Sequence, residues 1–411
     1  APVADLITES LDDDRAIGRD DARRALLLPE EGDEIRRRAQ IDRRAKDGNL
    51  EAHYAALAKR VPLGRVAHAR EFGDLVAFLV SEHAGYVTGE VLTVDGELLG
   101  DLGHTRGSSH GTSRIFRFSY HDPIYVGMAK EALPLWRELE KESGRELLTT
   151  TGGLDLGEAL HTHRRALETL GAACELIDGA EVGRRFPFLS IPPAEPVLFQ
   201  PDAGIVAAEG SVRAFVASAQ GHGVEVRERT KVTSITVAGD SALIDTDDGA
   251  YRARVAVVTA GAWARSLLAG VGMDIPTTPS RETVAYFRLP GGTLPPSMID
   301  WSDPPIYALY SPPGSWKVAE HHAGPTIRDP DEEGAVNEEA VARLSAWVAR
   351  RLPRADSRPH KTETCLYTNT PDEDFILERR GPIVIGSPCS GHGFKFAPVI
   401  GERLADLAVA V

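Results

Sequence analysis

The sequence predicts a mixed α/β (α+β) fold with more than one domain, and three observations support this prediction. The 411 residues, 42% of them hydrophobic, suffice for a large core and favour two or three domains. Near the end, an apolar strand pattern at 383–385 passes through a glycine-rich turn into an apolar helix pattern that begins at Ala397. Between 224 and 258, strand patterns alternate with turns at 239–240 and 247–249, which predicts three short antiparallel strands.

Hydrophobic periodicity predicts further elements along the chain. Residues 125–143 carry apolar side chains at helical spacing, and residues 336–352 do the same around Leu344 and Trp347. Apolar strand patterns occur at 147–156, 283–289 and 316–320. Helices and strands thus alternate through most of the chain.

The composition excludes several classes of partner. Sixty-one acidic residues against 46 basic residues give a net charge of −15, which argues by repulsion against nucleic-acid and anionic-membrane partners. No run of 18 apolar residues and no secretory signal pattern occurs, so we expect a soluble, cytoplasmic protein without a membrane partner. Cys174, Cys365 and Cys389 are too few and too scattered for a disulfide framework or a zinc site, so no metal is expected.

The first hundred residues differ from the rest. They are charged and helix-prone up to residue 49, a helix pattern follows at 71–82, and Val91–Val94 predict a buried strand ending at Asp95. This series resembles the C-terminal part of a short-chain dehydrogenase/reductase. It has no glycine-rich phosphate turn, and Tyr54 and Lys59 are five positions apart instead of four. The resemblance implies sheet closure and subunit contacts, in a monomer or a homo-oligomer formed through residues 1–100, and no reductase activity.

Four motifs follow in a fixed order, at 107–117, 316–322, 364–375 and 390–396. Together they resemble the monomeric sarcosine oxidase and N-methyltryptophan oxidase family of flavin amine oxidases, from about Asp101 to about Ala408. The resemblance implies FAD as cofactor, with an incomplete FAD-binding Rossmann-like domain beside a mixed-sheet substrate domain. The implied boundaries are 1–100 for the reductase-like segment, 101–146, 196–275 and 366–411 for the FAD-binding domain, and 147–195 and 276–365 for the substrate-binding domain.

One part of the family pattern is missing. The family opens with a strand, a G-x-G-x-x-G turn, a helix and a second strand ending in an acidic residue, which hold the pyrophosphate and ribose of FAD. No G-x-G-x-x-G occurs in the 411 residues. Either Val91–Val94 take the place of the second strand with Asp95 at the ribose, or this strand closes a reductase sheet joined to a truncated oxidase. The few residues after Ala408 also suggest truncation.

Two arginines in the first motif point to an anion. Arg114 and Arg117 are three apart, and on a helical turn this spacing puts both guanidinium groups on one side. Such a pair repels unless it faces an anion, and a guanidinium suits a carboxylate. By resemblance, Arg117 binds the substrate carboxylate together with Tyr120. Arg114 then lies over the flavin ring, with His110 and Ser113 nearby.

The second motif supplies a lysine and a histidine. Lys317 alternates with apolar neighbours, so its side chain points to one face of a strand. By resemblance, Lys317 contacts the flavin through water and promotes the reaction of reduced flavin with oxygen, since a buried positive charge stabilises developing superoxide. His321 then lies beside the substrate amine. Glu320 and His322 depart from the family's usual neighbours, which leaves the substrate preference open.

The third motif contains Cys365, which by resemblance forms a thioether to the flavin ring. That chemistry needs a thiolate, and nearby positive charge lowers the pKa of a thiol. The alternative is that Cys365 is an inert, small core residue. Tyr367, two positions further on, shares its strand face and lines the substrate cavity.

The remaining cofactor contacts are predicted at two turns. A buried strand pattern ends in Thr259-Ala260-Gly261, where small residues either let the backbone approach the dinucleotide or make a tight joint with a helix. The glycine-rich turn before Ala397 offers backbone N–H groups and a lysine to a negative charge. Its cofactor contacts are Gly391, Gly393, Phe394 and Lys395, and Lys395 also holds the substrate carboxylate with Arg117.

The resemblance implies hydride transfer from the carbon beside a secondary amine to FAD, with oxygen reduced to hydrogen peroxide and the imine hydrolysed. The substrate is expected to be a small N-methyl or cyclic secondary amino acid. The residues expected to be catalytic are Arg114, Lys317, His321, Tyr367 and Lys395. Two alternatives stay open, namely an inactive, truncated or fused oxidase without flavin, and an oligomerising scaffold.

Overall fold

The computed structural model describes residues 85–88, 91–94, 107–289, 291 and 294–409, with the backbone alone for the first two ranges. Several sequence-based predictions lie outside these residues. They are the helix at 71–82, the pair Tyr54 and Lys59, the placement of Asp95, and the junction near Asp101.

The described residues form twenty strands and seven α-helices. The strands are β1 (Gly85–Thr88), β2 (Val91–Val94), β3 (Ser113–Phe116), β4 (Leu148–Thr150), β5 (Gly153–Gly157), β6 (Glu175–Asp178), β7 (Pro196–Gln200), β8 (Gly204–Ala207), β9 (Glu225–Arg227), β10 (Val232–Ala238), β11 (Ser241–Thr246), β12 (Ala250–Ala253), β13 (Val255–Val258), β14 (Thr278–Arg288), β15 (Ser297–Trp301), β16 (Ile306–Ser311), β17 (Ser315–Glu320), β18 (Lys361–Asn369), β19 (Ile376–Arg380) and β20 (Ile383–Ser387). The helices are α1 (Pro123–Ser143), α2 (Leu160–Thr169), α3 (Gly179–Arg185), α4 (Ala208–Gly221), α5 (Ala264–Ala269), α6 (Glu338–Arg351) and α7 (Ala397–Val409).

A six-stranded sheet in the order β19-β20-β13-β2-β1-β9 is parallel at its centre. The predicted strand Val91–Val94 is β2, and it pairs in parallel with β13 over its whole length. Because a parallel sheet is covered on both faces, all four residues of β13 are buried. Alternate residues of β13 pack on opposite sides: Val257 joins the core of α1 and α7, whereas Val258 joins that of α5 and the meander.

The meander predicted between 224 and 258 is confirmed as the three-stranded sheet β10-β11-β12. Helix α1 begins at Pro123, two residues before the predicted start, because Asp122 caps it by accepting a hydrogen bond from the Ile124 N–H at 2.8 Å. The predicted terminal strand and helix are β20 and α7. Among the described residues, no helix combines the length and the apolar character that a membrane crossing requires.

An eight-stranded mixed sheet in the order β18-β14-β17-β16-β15-β5-β7-β6 forms the second large layer, and α6 covers one face of it. The single strand predicted at 147–156 is wrong. The chain breaks at Gly152, whose φ of +76° ends β4. β4 pairs with β8 in a small sheet, whereas β5 enters the eight-stranded sheet.

The helical turn assumed for Arg114 and Arg117 is also wrong. Residues Ser113–Phe116 form β3, which pairs antiparallel with β8. The apolar side chain of Phe116 is fully buried there, so strand pairing prevails over the helical spacing of the two arginines.

A buried ion pair fastens α6 to the eight-stranded sheet. Asp300 in β15 accepts hydrogen bonds from the Trp347 indole N–H at 2.8 Å and from Arg351 at 3.0 Å. Arg351 also donates to both carboxylate oxygens of Glu195, at 3.0 and 3.1 Å. Burial alone would raise the pKa of Asp300, but the two hydrogen bonds outweigh it and hold the pKa below its usual value.

We predict that Asp300→Asn lowers the free energy of unfolding by about 2 kcal/mol at pH 7, because it removes a charged hydrogen-bond acceptor from a buried pair. The pKa of Asp300 is lower in the folded state, so its contribution is present at neutral pH and is lost as the pH falls through that lowered value. Urea unfolding at pH 7 and pH 3.5 measures both effects. The control is Asp248→Asn, which weakens only a surface contact with Arg227 at 3.5 Å. An equal decrease in the free energy of unfolding of the two variants would contradict the prediction.

Candidate active site

A cavity of about 1050 Å³, including the space at its mouth, lies between the eight-stranded sheet, β3 and the loop that follows β20. All four sequence motifs contribute to its wall. The predicted site residues that line it are Ser113, Arg114, Arg117, Lys317, His321, Cys365, Tyr367, Gly391, Gly393, Phe394 and Lys395. Four further predicted residues, His110, Tyr120, Thr259 and Gly261, do not line it.

Two cations share one buried phenol at one end of the cavity. The ammonium of Lys395 donates to the Tyr120 hydroxyl at 2.8 Å and to the carbonyl oxygen of His392 at 2.7 Å. The guanidinium of Arg117 lies 3.9 Å from the centre of the Tyr120 ring. Burial, with Arg117 as a second cause, lowers the pKa of Lys395 well below its ordinary value. Such an arrangement favours an anion that neutralises both cations.

A buried polar network behind Arg117 fixes its position. The side-chain oxygen of Gln200 accepts from the backbone N–H groups of Phe118 and Ser119 at 2.9 and 2.8 Å. The amide of Gln200 donates to Asp155 at 2.5 Å, and the Trp301 indole N–H donates to Asp155 at 3.1 Å. The backbone after Arg117 is therefore held from β5, β7 and β15.

His321 lies where the second and third motifs meet. Its Nδ1 is 3.3 Å from the Tyr367 hydroxyl, and its ring centre is 6.4 Å from that of Tyr307. Burial, followed by the positive charge of His322, lowers the pKa of His321 well below its ordinary value. His321 is therefore neutral at physiological pH and can accept or donate a hydrogen bond beside the cavity.

Lys317 occupies the middle of the eight-stranded sheet, opposite Tyr286 of β14 and Leu309 of β16. Only 2% of its surface is exposed, and burial, with Arg114 as a second cause, lowers its pKa to about 7. His110 is near the same charges, and burial followed by Arg114 lowers its pKa to about 3. Lys317 can therefore change protonation state near neutral pH, whereas His110 stays neutral.

Cys365 is buried in β18 and lines the cavity, two residues from Tyr367. The loop after β20 passes so close to this strand that it requires glycine. A Cβ atom on Gly391, whose φ is +72°, would lie 2.2 Å from the Tyr367 ring, and one on Gly393 would lie 1.6 Å from the carbonyl oxygen of Pro388. The turn therefore brings its backbone directly against the cavity wall.

Thr259 and Gly261 lie at the carboxyl end of β13, beside the end of β20 that leads into the cavity loop. In an open parallel sheet, ligands bind outside the carboxyl ends of the strands. These two residues therefore lie at the edge of the sheet that faces the cavity loop, but they do not line the cavity.

Sequence reasoning missed several residues of the site. Tyr307, Thr368 and His392 line the cavity, and Asp155 and Gln200 support it. The available signal was a polar residue inside an apolar strand, as at Asp155 between Leu154 and Leu156. Tyr307 carries no signal in its local sequence, whereas His392 lies inside the fourth motif, 390–396, and could have been chosen as a candidate there.

The residues present fit the ring end of FAD. Within the described part of the chain, three buried polar atoms around the cavity have no hydrogen-bond partner: His110 Nε2, Thr368 Oγ1 and His392 Nδ1. Buried polar atoms are normally paired, so a bound polar group is the natural partner for them. The basic side chains that line the cavity also suit an electron-rich ring.

We predict that Lys317→Met stabilises the flavin-free protein by about 5 kcal/mol below pH 7, because folding lowers the pKa of Lys317 from 10.5 to about 7 and each pKa unit corresponds to about 1.4 kcal/mol. The pKa of Lys317 is lowered on folding, so the cost of burying its charge is greatest below about pH 7. Between that value and its ordinary pKa the unfolded chain binds more protons, so the advantage of the variant shrinks as the pH rises. Urea unfolding at several pH values tests this, with Lys141→Met at an exposed position of α1 as control. A difference in the free energy of unfolding between Lys317→Met and the wild type that does not change with pH would contradict the prediction.

Comparison with known proteins identifies the relationships of the chain. The family model described as FAD dependent oxidoreductase matches residues 78–407, and the model described as Enoyl-(Acyl carrier protein) reductase matches residues 40–97. The first match begins before the junction expected near Asp101, so the two matches overlap on residues that include β1 and β2.

Curated relatives cover most of the chain. A monomeric sarcosine oxidase of Bacillus sp. (strain B-0618) is 33% identical over 75% of this chain and 84% of its own length. The peroxisomal sarcosine oxidase of Homo sapiens is 35% identical over the same shares. An N-methyl-L-tryptophan oxidase of Citrobacter koseri is 28% identical over 74% of this chain and 85% of its own length.

Solved structures agree with these matches. NikD, an unusual amino acid oxidase essential for nikkomycin biosynthesis, has a TM-score of 0.70 at 25% identity, over 83% of this chain and 92% of its own. An L-proline dehydrogenase from P. horikoshii has a TM-score of 0.69 at 23% identity, over 83% and 91%, and supports the fold alone. The chain therefore belongs to the FAD dependent oxidoreductase family and is an FAD-dependent amine oxidoreductase related to the sarcosine and N-methyltryptophan oxidases.

Proposed function

We propose that the protein oxidises a small secondary amino acid, either N-methylated or cyclic, to an imine, and that oxygen is reduced to hydrogen peroxide. The observation that carries this proposal is the pair of cations, Arg117 and Lys395, gathered around Tyr120 in the same cavity as His321. A carboxylate suits the cations, and a neutral amine suits the histidine. An α-amino acid presents both groups within one small molecule.

Arg117 and Lys395 would bind the substrate carboxylate. The backbone next to Arg117 is held by the hydrogen bonds that the N–H groups of Phe118 and Ser119 donate to Gln200. Lys395 is held by the hydrogen bonds that it donates to Tyr120 and His392. Both donors are therefore positioned before substrate arrives. The carboxylate would fix the direction in which the carbon beside the amine points.

The amine would be bound in its neutral form. Arg117 and Lys395 disfavour a further positive charge near them, and burial keeps His321 uncharged. A neutral amine keeps its lone pair available to support loss of hydride from the adjacent carbon, so no separate base is required. His321 and Tyr367 would orient the amine by hydrogen bonds.

When bound, FAD would supply the acceptor for the hydride and the route of its two electrons to oxygen. The residues that would hold its ring end are Cys365, His110, Ser113, Arg114, Gly391, Gly393, Phe394 and Lys395, with Thr259 and Gly261 nearer the dinucleotide. The guanidinium of Arg114 lies 5.9 Å from the centre of the Phe394 ring, which supports placing both residues at one face of the flavin ring. Lys317 is buried and its pKa is about 7, so its protonated form would place a positive charge where oxygen reacts.

We further propose that Cys365 is bonded to the flavin and that the chain divides as the sequence predicts. The burial of Cys365 on the cavity wall supports the first proposal. For the second, the six-stranded sheet would carry the cofactor and the eight-stranded sheet the substrate. Among the exceptions are β1 and β2, which fall in the reductase-like segment, and β7, which falls in an FAD-binding segment.

We predict that Arg117→Met raises the KM for sarcosine about 10- to 100-fold, because it removes a charged hydrogen-bond donor to the carboxylate. The kcat should change much less. A matching N-methylalkylamine without a carboxylate should react equally well with the variant and the wild type. Arg213→Met on the surface of α4 is the control, and steady-state peroxide release is the measurement. An equal effect on both substrates would contradict the carboxylate role.

We predict that the purified protein is yellow and that its acid-precipitated pellet stays yellow, because the flavin is bonded to the chain. Cys365→Ser should release the colour into the supernatant, whereas Cys389→Ser, in the wall of the same cavity, should retain it in the pellet. Absorbance spectra of both fractions decide this. A wild-type protein that stays colourless after incubation with FAD would contradict the proposed function and favour the scaffold interpretation.

A further inference from the structure

A polar cluster at the edge of the cavity is centred on His322, which follows β17. Its Nδ1 lies 3.2 Å from Oε1 of Glu373, and its Nε2 lies 3.0 Å from the carbonyl oxygen of Ser390. Glu373 belongs to the loop between β18 and β19, and Ser390 to the loop after β20 that lines the cavity. His322 therefore joins three separate segments of the chain.

All three residues have a left-handed backbone. Their φ values are +56° for His322, +62° for Glu373 and +52° for Ser390. Residues other than glycine adopt this region rarely, and they keep it only where the surrounding structure holds them there, often at functional sites. His322 contacts both of the other residues, and three such backbone conformations together indicate that the cluster is held firmly.

Neighbouring strands hold the cluster from both sides. Glu282 of β14 accepts a hydrogen bond at 2.8 Å from the backbone N–H of Gly324, which closes the turn after His322. The backbone N–H of Ser390 donates to the carbonyl oxygen of Thr368 in β18 at 2.8 Å. The position of the His322 ring is thus defined by the sheet as well as by its own partners.

The contacts of His322 define its protonation state. Both ring nitrogens face oxygen acceptors, and only the imidazolium form can donate from both nitrogens. Burial alone would lower the pKa of His322, but the hydrogen bond and charge of Glu373 outweigh it and raise the pKa above its ordinary value. The titratable groups that face the ring are Glu373, Glu282 from β14, His321 from the same turn and Tyr367 from β18.

The charged ring of His322 acts on two residues of the amine site. The ring centres of His321 and His322 are 4.1 Å apart, so a charge on His322 opposes protonation of His321. The carbonyl that His322 holds belongs to Ser390, directly before Gly391, whose backbone packs against the Tyr367 ring. His321 and Tyr367 are also in contact with each other, at 3.3 Å between Nδ1 and the hydroxyl.

We propose that His322, as an imidazolium held between Glu373 and Ser390, is a positioning residue that adds to burial in opposing protonation of His321 and holds His321 in contact with Tyr367 beside the substrate amine. This inference rests on the proposed function.

The test uses the flavin-loaded protein and two variants. His322→Asn removes the charge, and asparagine tolerates the left-handed backbone. Glu373→Gln keeps the acceptor but removes the charge that stabilises the imidazolium. We expect His322→Asn to lower kcat/KM for sarcosine about tenfold near pH 6, and we expect this difference from the wild type to narrow as the pH rises through the raised pKa of His322. Glu373→Gln should match the wild type near pH 6 and fall towards His322→Asn above about pH 7.5, since an ordinary histidine loses its proton near pH 6.5.

The controls separate a positioning role from a general structural one. His161→Asn, at an exposed position of α2, should behave as the wild type. Unchanged flavin absorbance in His322→Asn would show that the cofactor site is intact. A purely structural role predicts the same ratio of Glu373→Gln to wild type at every pH, and that result would overturn the proposal.

A measurement that does not depend on turnover distinguishes failure of this inference from failure of the proposed function. Nitrogen-15 NMR of labelled histidine, assigned through His322→Asn, should show both ring nitrogens of His322 protonated at pH 6.5, where an ordinary histidine is only about half protonated. A neutral ring overturns the proposal even in an active enzyme. Absence of any turnover by the wild type overturns the proposed function and, with it, the role at the amine, whatever the NMR result.

Discussion

The candidate active site depends on holding four basic side chains, those of Arg114, Arg117, Lys317 and Lys395, fully or partly buried around one cavity. The whole chain carries a net charge of −15, so this concentration of cations is a local feature of the site. Burying a charge is costly, and like charges close together add to that cost. For Arg117 and Lys395 the chain offsets part of it with carbonyl oxygens, a phenol and aromatic faces. Because these groups carry no full negative charge, the two cations remain available to an anionic ligand, and the surrounding strands must hold them in place.

The support for these cations comes from residues far apart in sequence. Gln200 and Asp155 hold the backbone after Arg117 from β7 and β5, and the Trp136 indole donates to the carbonyl oxygen of Lys395 at 2.8 Å. The cavity therefore depends on the packing of α1 and of the eight-stranded sheet. Asp155 is itself a buried carboxylate. Burial raises its pKa and the charge of Arg117 opposes that rise, so part of the compensation for that charge comes from this network.

The sequence predicted the strands and helices with strong apolar periodicity, such as α1, β20 and α7, and all four motifs contribute residues to the cavity wall. The spacing of Arg114 and Arg117, three positions apart, predicted a helical turn, and this prediction is wrong because β3 pairs with β8. Local spacing also failed at Gly152, where one apolar run divides between two sheets. Tyr307, Gln200 and His322 could not have been placed from their neighbours, since their partners lie on other strands and loops. The placement of β2 beside β13 likewise depends on long-range pairing.

The hydrogen bond from Trp136 to Lys395 also has an optical consequence. The chain contains five tryptophans, and two of them donate hydrogen bonds from the indole N–H at the site. Trp136 donates to the carbonyl oxygen of Lys395, and Trp301 donates to Asp155 behind Arg117. Indole emission responds to the polarity and charge around the ring. The intrinsic fluorescence of the protein is therefore a built-in reporter of the cavity, and it needs no added dye to follow how ligands rearrange it.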